Sequence, residues 1–314
     1  MAVEGLGWLA LAPMVLLCLT QWFGISPSRP VVVLQALSLF VLAPSVIVAL
    51  VAALNGRHAM ALVAVLPLAT LLGLTAPVVF HTDPPAAAAD APRLTVGYAN
   101  FLASNPTADS GVAALAATDA DVLVLVEFTP RLRDLLDAAV GSGEYPHRLE
   151  DLQADPSGIG LWSRRPIVSG GVTVIGSRVS VDVVVDVDGA HVRVLALHPF
   201  PPTFDTGGWV RELEAIAERT AGSPLPTLLV GDFNGARWHP AFRDLLDAGW
   251  TDTHEALGHG FSVSWPLDNG WLPPQFIRLD HALYGGGVVP VRVRDVVIPG
   301  SDHKGFVAEY ALPG

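Results

Sequence analysis

Three long apolar runs open the chain, and short apolar runs separated by turn residues fill the remainder. Residues 5–23, 31–54 and 59–80 contain no Asp, Glu, Lys or Arg. Each reaches the roughly 20 residues that carry a helix across a bilayer, so the pattern predicts three membrane-spanning helices. A cleaved signal peptide is the competing reading of the first run. That run lacks a basic leading segment, carries Glu4, and leaves hardly any room for a cleaved domain before the next run. A buried core bundle is disfavoured because three uncharged runs in succession leave no face for water. Arg29 and Arg57 occupy the two short loops, so the positive-inside comparison is one arginine against one. An odd number of spans puts the ends on opposite sides of the cell membrane. The expectation is an inside amino terminus and an extracytoplasmic soluble domain on an Ala/Pro-rich tether.

From residue 94 the period changes. Residues 94–99 alternate and predict a strand that delivers Asn100, and residues 121–126 form a near-continuous apolar run ending at Glu127. An alanine-rich helix to about residue 118 is expected between them. Thr129-Pro130 opens a helix in which Leu132, Leu135, Leu136 and Ala139 keep helical spacing. Shorter strands follow at 159–163, 179–187 and 191–197, the last two joined by Asp188-Gly189, a strong hairpin signal. Residues 206–220 predict an amphipathic helix leading to a strand that ends at Gly231. A short helix at 240–248 precedes a Gly/Pro/Trp-rich loop, 258–275, expected to overhang the strand ends. Trp265 and Trp271 there read as substrate contacts or, more commonly, as packing within the loop. Strands at 280–284, 288–298 and 306–312 complete the predicted domain. The expected division is residues 1–82 as membrane segment, 83–93 as linker and 94–314 as one folded domain.

Composition sharpens this picture. The chain is 51% hydrophobic with a mean hydropathy of +0.46, and the excess sits at the front. Beyond Phe80 there are 16 bases and 29 acids, a net charge of −13, with no basic stripe. Binding through a nucleic-acid backbone usually needs one, which argues against a nucleic-acid partner. Cys18 is the only cysteine. A metal site must therefore use oxygen and nitrogen donors, which suits Mg2+ or Mn2+ better than structural zinc.

The candidate chemistry gathers around Leu228-Leu229-Val230-Gly231-Asp232-Phe233-Asn234-Gly235. A buried strand releasing an acid and an amide at spacing i, i+2 places both on one face if the backbone stays extended. The competing reading is an Asn-Gly turn. Arg278-Leu279-Asp280-His281, Ser301-Asp302-His303-Lys304, Asn100 and Glu127 supply further candidates at run ends. Taken in order, Asn, Glu, Gly-Asp-x-Asn, Asp-His and Ser-Asp-His, these motifs resemble the endonuclease/exonuclease/phosphatase superfamily, in particular its bacterial membrane-anchored members, over about residues 94–312.

The resemblance implies a four-layer α/β sandwich, two facing mixed sheets flanked by helices, and a divalent-metal-dependent phosphoesterase using Mg2+ or Mn2+. Glu127 and Asp302 look like metal ligands, with Asn100 as a further oxygen ligand or an orienting amide. Asp280 and His303 resemble the family's carboxylate–imidazole pair. Asp232 resembles the group that orients or deprotonates water, Asn234 the amide on the phosphoryl oxygen, and His198 a phosphate contact. Whether Asp232 or His303 takes the proton stays open. Leu102 stands where some members carry an early metal-binding acid, which bears on the number of metal ions. His281 is expected to point to the opposite strand face. Arg164-Arg165 reads as an anion contact or a solvated turn. The expected partners are a phosphoester substrate, a lipid headgroup or small molecule ahead of nucleic acid, and the lipid bilayer, with no obligate protein partner. A nuclease and a catalytically silent membrane scaffold are the alternative functions.

Overall fold

Strand alternation sorts the apolar side chains beyond residue 93 into one central and two outer layers. A computed structural model describes residues 2–141, 143–267 and 276–313; Trp271 lies outside the described residues. Five helices come first: α1 (Ala2–Trp22), α2 (Arg29–Ala36), α3 (Ser38–Leu42), α4 (Ser45–Leu54) and α5 (His58–Val79). Then follow β1 (Arg93–Asn100), α6 (Ala108–Ala116), β2 (Val122–Val126), α7 (Pro130–Val140), β3 (His147–Asp151), β4 (Ile159–Ser163), β5 (Ile167–Ile175), β6 (Arg178–Val187) and β7 (Ala190–Leu197). The chain closes with α8 (Thr206–Thr220), β8 (Thr227–Asp232), α9 (Pro240–Asp247), β9 (Thr251–Asp252), α10 (Thr253–Ala256), β10 (Asp280–Gly285), β11 (Val289–Val297) and β12 (Lys304–Ala311).

Two six-stranded mixed sheets result, ordered β11-β12-β1-β2-β4-β3 and β5-β6-β7-β8-β10-β9. Val122, Val124 and Val126 of β2 meet Leu228 and Val230 of β8 in the layer between the sheets. Leu123 and Leu125 point outward to α6 and α7, and Leu229 points outward to α8 and α9. The architecture is the expected α/β sandwich in four layers. The β6–β7 hairpin turns at Asp188 and Gly189, with φ of 55° and 92°, as its Asp-Gly sequence predicts. Three edge strands escaped the sequence reading, the two-residue β9 and the longer β3 and β5. β3 is the polar run His-Arg-Leu-Glu-Asp, and β5 contains Ser169-Gly170-Gly171 beside a register shift; neither carries the apolar alternation of a central strand.

Helices α1 and α5 are long and apolar enough to cross a membrane, whereas the second run is broken. α2 and the stretch from Ser38 to Leu54 are bent by 78°, so three spans result only if the bent pair counts as one. Polar side chains inside the run account for the break. Gln35 Nε2 donates to Thr20 Oγ1 and the Ile25 carbonyl, and Gln21 Nε2 donates both to Ser38 Oγ and to the Trp238 carbonyl of the sandwich. Apolar packing follows the same path, since Leu11, Leu17 and Leu42 share a core with Trp238, Ile277 and Leu279.

Candidate active site

At one end of the inter-sheet layer the inward apolar series gives way to polar groups. Leu94, Val96 and Tyr98 continue to Asn100; Leu228 and Val230 continue to Asp232; Ala282 leads back to Asp280. Antiparallel register sets Asp280 directly opposite Asp232. Tyr98 Oη reaches across the layer and donates to Asp280 Oδ1 at 2.7 Å. Gly231 is required here, because a Cβ would sit 1.9 Å from the Leu197 carbonyl oxygen of the neighbouring strand. Leu102, Glu127 and Asn234 have φ of 60°, 53° and 46°. Such backbone costs about 1–3 kcal/mol per residue, and its concentration where the strands end turns the polar side chains together.

Contacts join all eight residues expected from sequence. His303 Nδ1 lies 2.9 Å from Asp280 Oδ2, and its Nε2 lies 3.8 Å from Asp232 Oδ2 and 4.0 Å from Asp302 Oδ1. Asn100 Nδ2 donates to Glu127 Oε1 and Asp232 Oδ2, each at 3.2 Å, while its Oδ1 accepts from the Leu102 N–H. The Ala103 N–H braces Glu127 Oε2. Asp232 Oδ1 accepts the Asn234 N–H at 2.7 Å, and Asn234 Nδ2 donates to the Pro199 carbonyl. His198 Nε2 is 3.8 Å from Asp232 Oδ2. Asp302, the most exposed of the acids, accepts from Trp265 Nε1.

Burial and neighbouring charge set the protonation states. Burial raises the Glu127 carboxyl despite the Ala103 and Asn100 hydrogen bonds, with Asp302 adding to the rise. Burial likewise raises Asp232, and Asp280 adds to it while His303 opposes. Burial would discharge His303, yet the charges of Asp280 and Asp232 and the Asp280 hydrogen bond lift it to about 10. Asp280 stays low against burial because it faces that imidazolium. His198 is driven down to about 3, by burial first and then by the Arg178 and His303 charges, and is neutral.

This donor set fits a hard divalent cation. Glu127, Asp232, Asp280 and Asp302 bring carboxylate oxygens to the strand ends beside a single imidazole, so oxygen donors dominate. Donor atoms of Asp232, Asp280 and His303 lie within 4.8 Å of one another. Both oxygens of Asp280 are engaged, however, by Tyr98 and His303, so that carboxylate is a poor ligand. Glu127 accepts only from the Asn100 amide and the Ala103 N–H, neither of them charged, and Asp302 Oδ1 has no hydrogen bond among the described residues.

His281 points to the outer face as expected: Nδ1 meets Asp252 Oδ2 at 2.6 Å, Nε2 lies 2.9 Å from the Gly235 carbonyl, and the ring packs on Phe242. Arg164 and Arg165 pair with Asp119, Glu144, Asp121 and Asp188, away from the site. Two participants were not anticipated. Tyr98 stands two residues before Asn100 on the inward face, so alternation could have indicated it. Arg178, whose guanidinium lies over Phe200, faces the site cavity with no local motif to mark it.

Among known proteins, no curated sequence matches the chain. Solved structures share its fold. A humanized D. rerio TDP2 is 17% identical over 69% of this chain and 98% of that one, with a TM-score of 0.58. A family protein of Leptotrichia buccalis is 16% identical over 70% and 100%, with a TM-score of 0.55. A mannosyl-6-phosphatase of Bacteroides thetaiotaomicron is 17% identical over 70% and 100%, also with a TM-score of 0.55. The sequence profile of the Endonuclease/Exonuclease/phosphatase family matches residues 96–303, more than half of the chain and the whole span from β1 to the site histidine. The chain belongs to that family.

Proposed function

We propose that this protein is a membrane-anchored phosphoesterase that hydrolyses a phosphoester with Mg2+ or Mn2+, held by Glu127 and Asp302 and oriented by Asn100. The observation carrying this reading is the convergence of Asp280, Asp232 and Asp302 on His303 at the strand ends, with Glu127 joined to Asp232 through the Asn100 amide. When bound, the cation supplies Lewis-acid neutralisation of charge on the phosphoryl oxygens. Asp232, raised by burial and with one oxygen fixed by the Asn234 N–H, is placed to accept a proton from water near neutral pH. His303 remains an imidazolium held by Asp280, and its Nε2–H is a donor for a phosphoryl oxygen. Neutral His198 and the Asn234 amide offer further polar contacts in the same cavity.

Residues 1–82 would hold the protein in the cell membrane, with 83–93 as linker and 94–314 as the catalytic domain, extracytoplasmic in the favoured orientation. We infer no obligate protein partner. A lipid headgroup or small phosphoester is preferred over nucleic acid because the domain carries a net charge of −13 and no basic stripe. The test is a panel of a chromogenic phosphomonoester, a chromogenic phosphodiester, and single- and double-stranded DNA, offered to the full chain in nanodiscs with Mg2+. Turnover of a small ester exceeding that of DNA is expected; DNA cleavage as the dominant activity would replace this reading with a nuclease.

A further inference from the structure

The candidate catalytic residues line a cavity of about 870 Å³. That is at the upper end of ligand-sized pockets, much more room than a phosphate head needs. Its lining is mixed: Glu127, Asp232 and His303 supply polar groups, and Val33, Ala36 and Leu37 supply apolar ones. Val33 and Ala36 lie on α2 and Leu37 follows it, so the amino-terminal helices help to build the cavity.

The wall is fixed in place by buried polar contacts. His239, five residues beyond Asn234, lies with Nε2 3.2 Å from the Val32 carbonyl and accepts the Ala236 N–H at Nδ1. Arg243 donates to Gln21 Oε1, and Gln21 donates to Ser38 Oγ and the Trp238 carbonyl. Gln21, Ser38 and His239 are buried. α2 is bent by 78° from the stretch Ser38 to Leu54 that follows it. Phe204 also lines the cavity and, at 90% exposed, presents a further apolar face to it.

We infer that the cavity takes a phosphoester bearing an apolar chain, with its phosphate at the acids and its chain along Val33, Ala36, Leu37 and Phe204. This assignment rests on the phosphoesterase reading and adds to it the substrate class. It also gives the amino-terminal helices a role in specificity.

The test compares p-nitrophenyl methyl phosphate with p-nitrophenyl octyl phosphate, using the full chain in nanodiscs with Mn2+. Complete burial is worth up to about fourfold per methylene. For partial burial of seven additional carbons, kcat/KM is expected to rise about a hundredfold from methyl to octyl. Chain partitioning into the disc would raise the octyl rate by itself, so the decisive quantity is the octyl-to-methyl ratio in Leu37→Gln and Val33→Gln. Loss of about tenfold in that ratio supports the inference, since partitioning is the same for every variant. Val33 is 39% exposed and carries the test should Leu37→Gln fail to fold. An unchanged ratio in the folded variant, or equal rates on both esters, overturns the tail site while leaving the phosphoesterase reading intact. Hydrolysis of neither ester overturns both.

Discussion

Acidification should loosen the amino-terminal helices from the sandwich through His239. The ring is buried against α2, with Nδ1 accepting the Ala236 N–H and Nε2 facing the Val32 carbonyl. Burial first, and the nearby Arg243 charge, lower it from 6.5 to about 4, the Val32 and Ala236 contacts opposing. A folded value below the unfolded one stabilises fully above about pH 6.5, and that stabilisation is lost as pH falls through about 4. Between those values the loss at pH 5 comes to about 2 kcal/mol, or about 4–8 °C of melting temperature. Protonation also turns Nδ1 into a donor aimed at the Ala236 N–H, so the local contact is lost as well. The assay is thermal unfolding of the full chain in nanodiscs at pH 7.5 and pH 5, for wild type and His239→Asn. Asparagine retains an acceptor for Ala236 and cannot titrate. The variant should begin about 1 kcal/mol less stable, from the lost Val32 hydrogen bond. It should then lose about 2 kcal/mol less than wild type on acidification. The other depressed histidines, His198 and His254, titrate in both proteins and cancel in the comparison. Equal pH losses in the two proteins would refute the reasoning.

Three further outcomes are expected. Asp280→Asn and His303→Ala should each lower turnover by about 10²–10⁴-fold, whereas His281→Ala should cost about 3–5 kcal/mol of stability by leaving Asp252 buried without its partner; paired turnover and melting measurements separate the two. Gly231→Ala should prevent native packing, because the new methyl would overlap the Leu197 carbonyl; a soluble variant with wild-type near-ultraviolet circular dichroism would contradict this. Deleting residues 1–83 should leave a folded sandwich that binds detergent, since Trp238, Ile277 and Leu279 lose their apolar cover and Arg243 loses Gln21; a monodisperse, detergent-free domain would count against the shared core.

The strands that carry the candidate residues were legible in the sequence from apolar alternation or an unbroken apolar run, whereas the roles given to those residues came from the motif resemblance. Leu94, Val96 and Tyr98 fix the inward face of β1, and the same alternation carries Asn100 into the site and sends His281 out of it. Edge strands were less legible, because β3 and β5 bury little and are held by backbone pairing that leaves no hydrophobic signature. The second apolar run looked like one span because it holds no charge. Its break depends on Gln35 and Ser38 finding partners at Thr20 and Gln21 of α1 and at Ile25 in the loop after it, which lie outside the run. Arg178 was invisible for a similar reason, since its approach to the site depends on how β6 sits in the sheet.

Metal dependence tests the central claim most directly. The full chain, stripped with chelator and assayed on a chromogenic phosphodiester, is predicted to show no turnover until Mg2+ or Mn2+ is restored. Glu127→Gln should bind Mn2+ more weakly by paramagnetic resonance and recover little activity. Full turnover in chelator, or unchanged Mn2+ binding in Glu127→Gln and Asp302→Asn alike, would contradict the account.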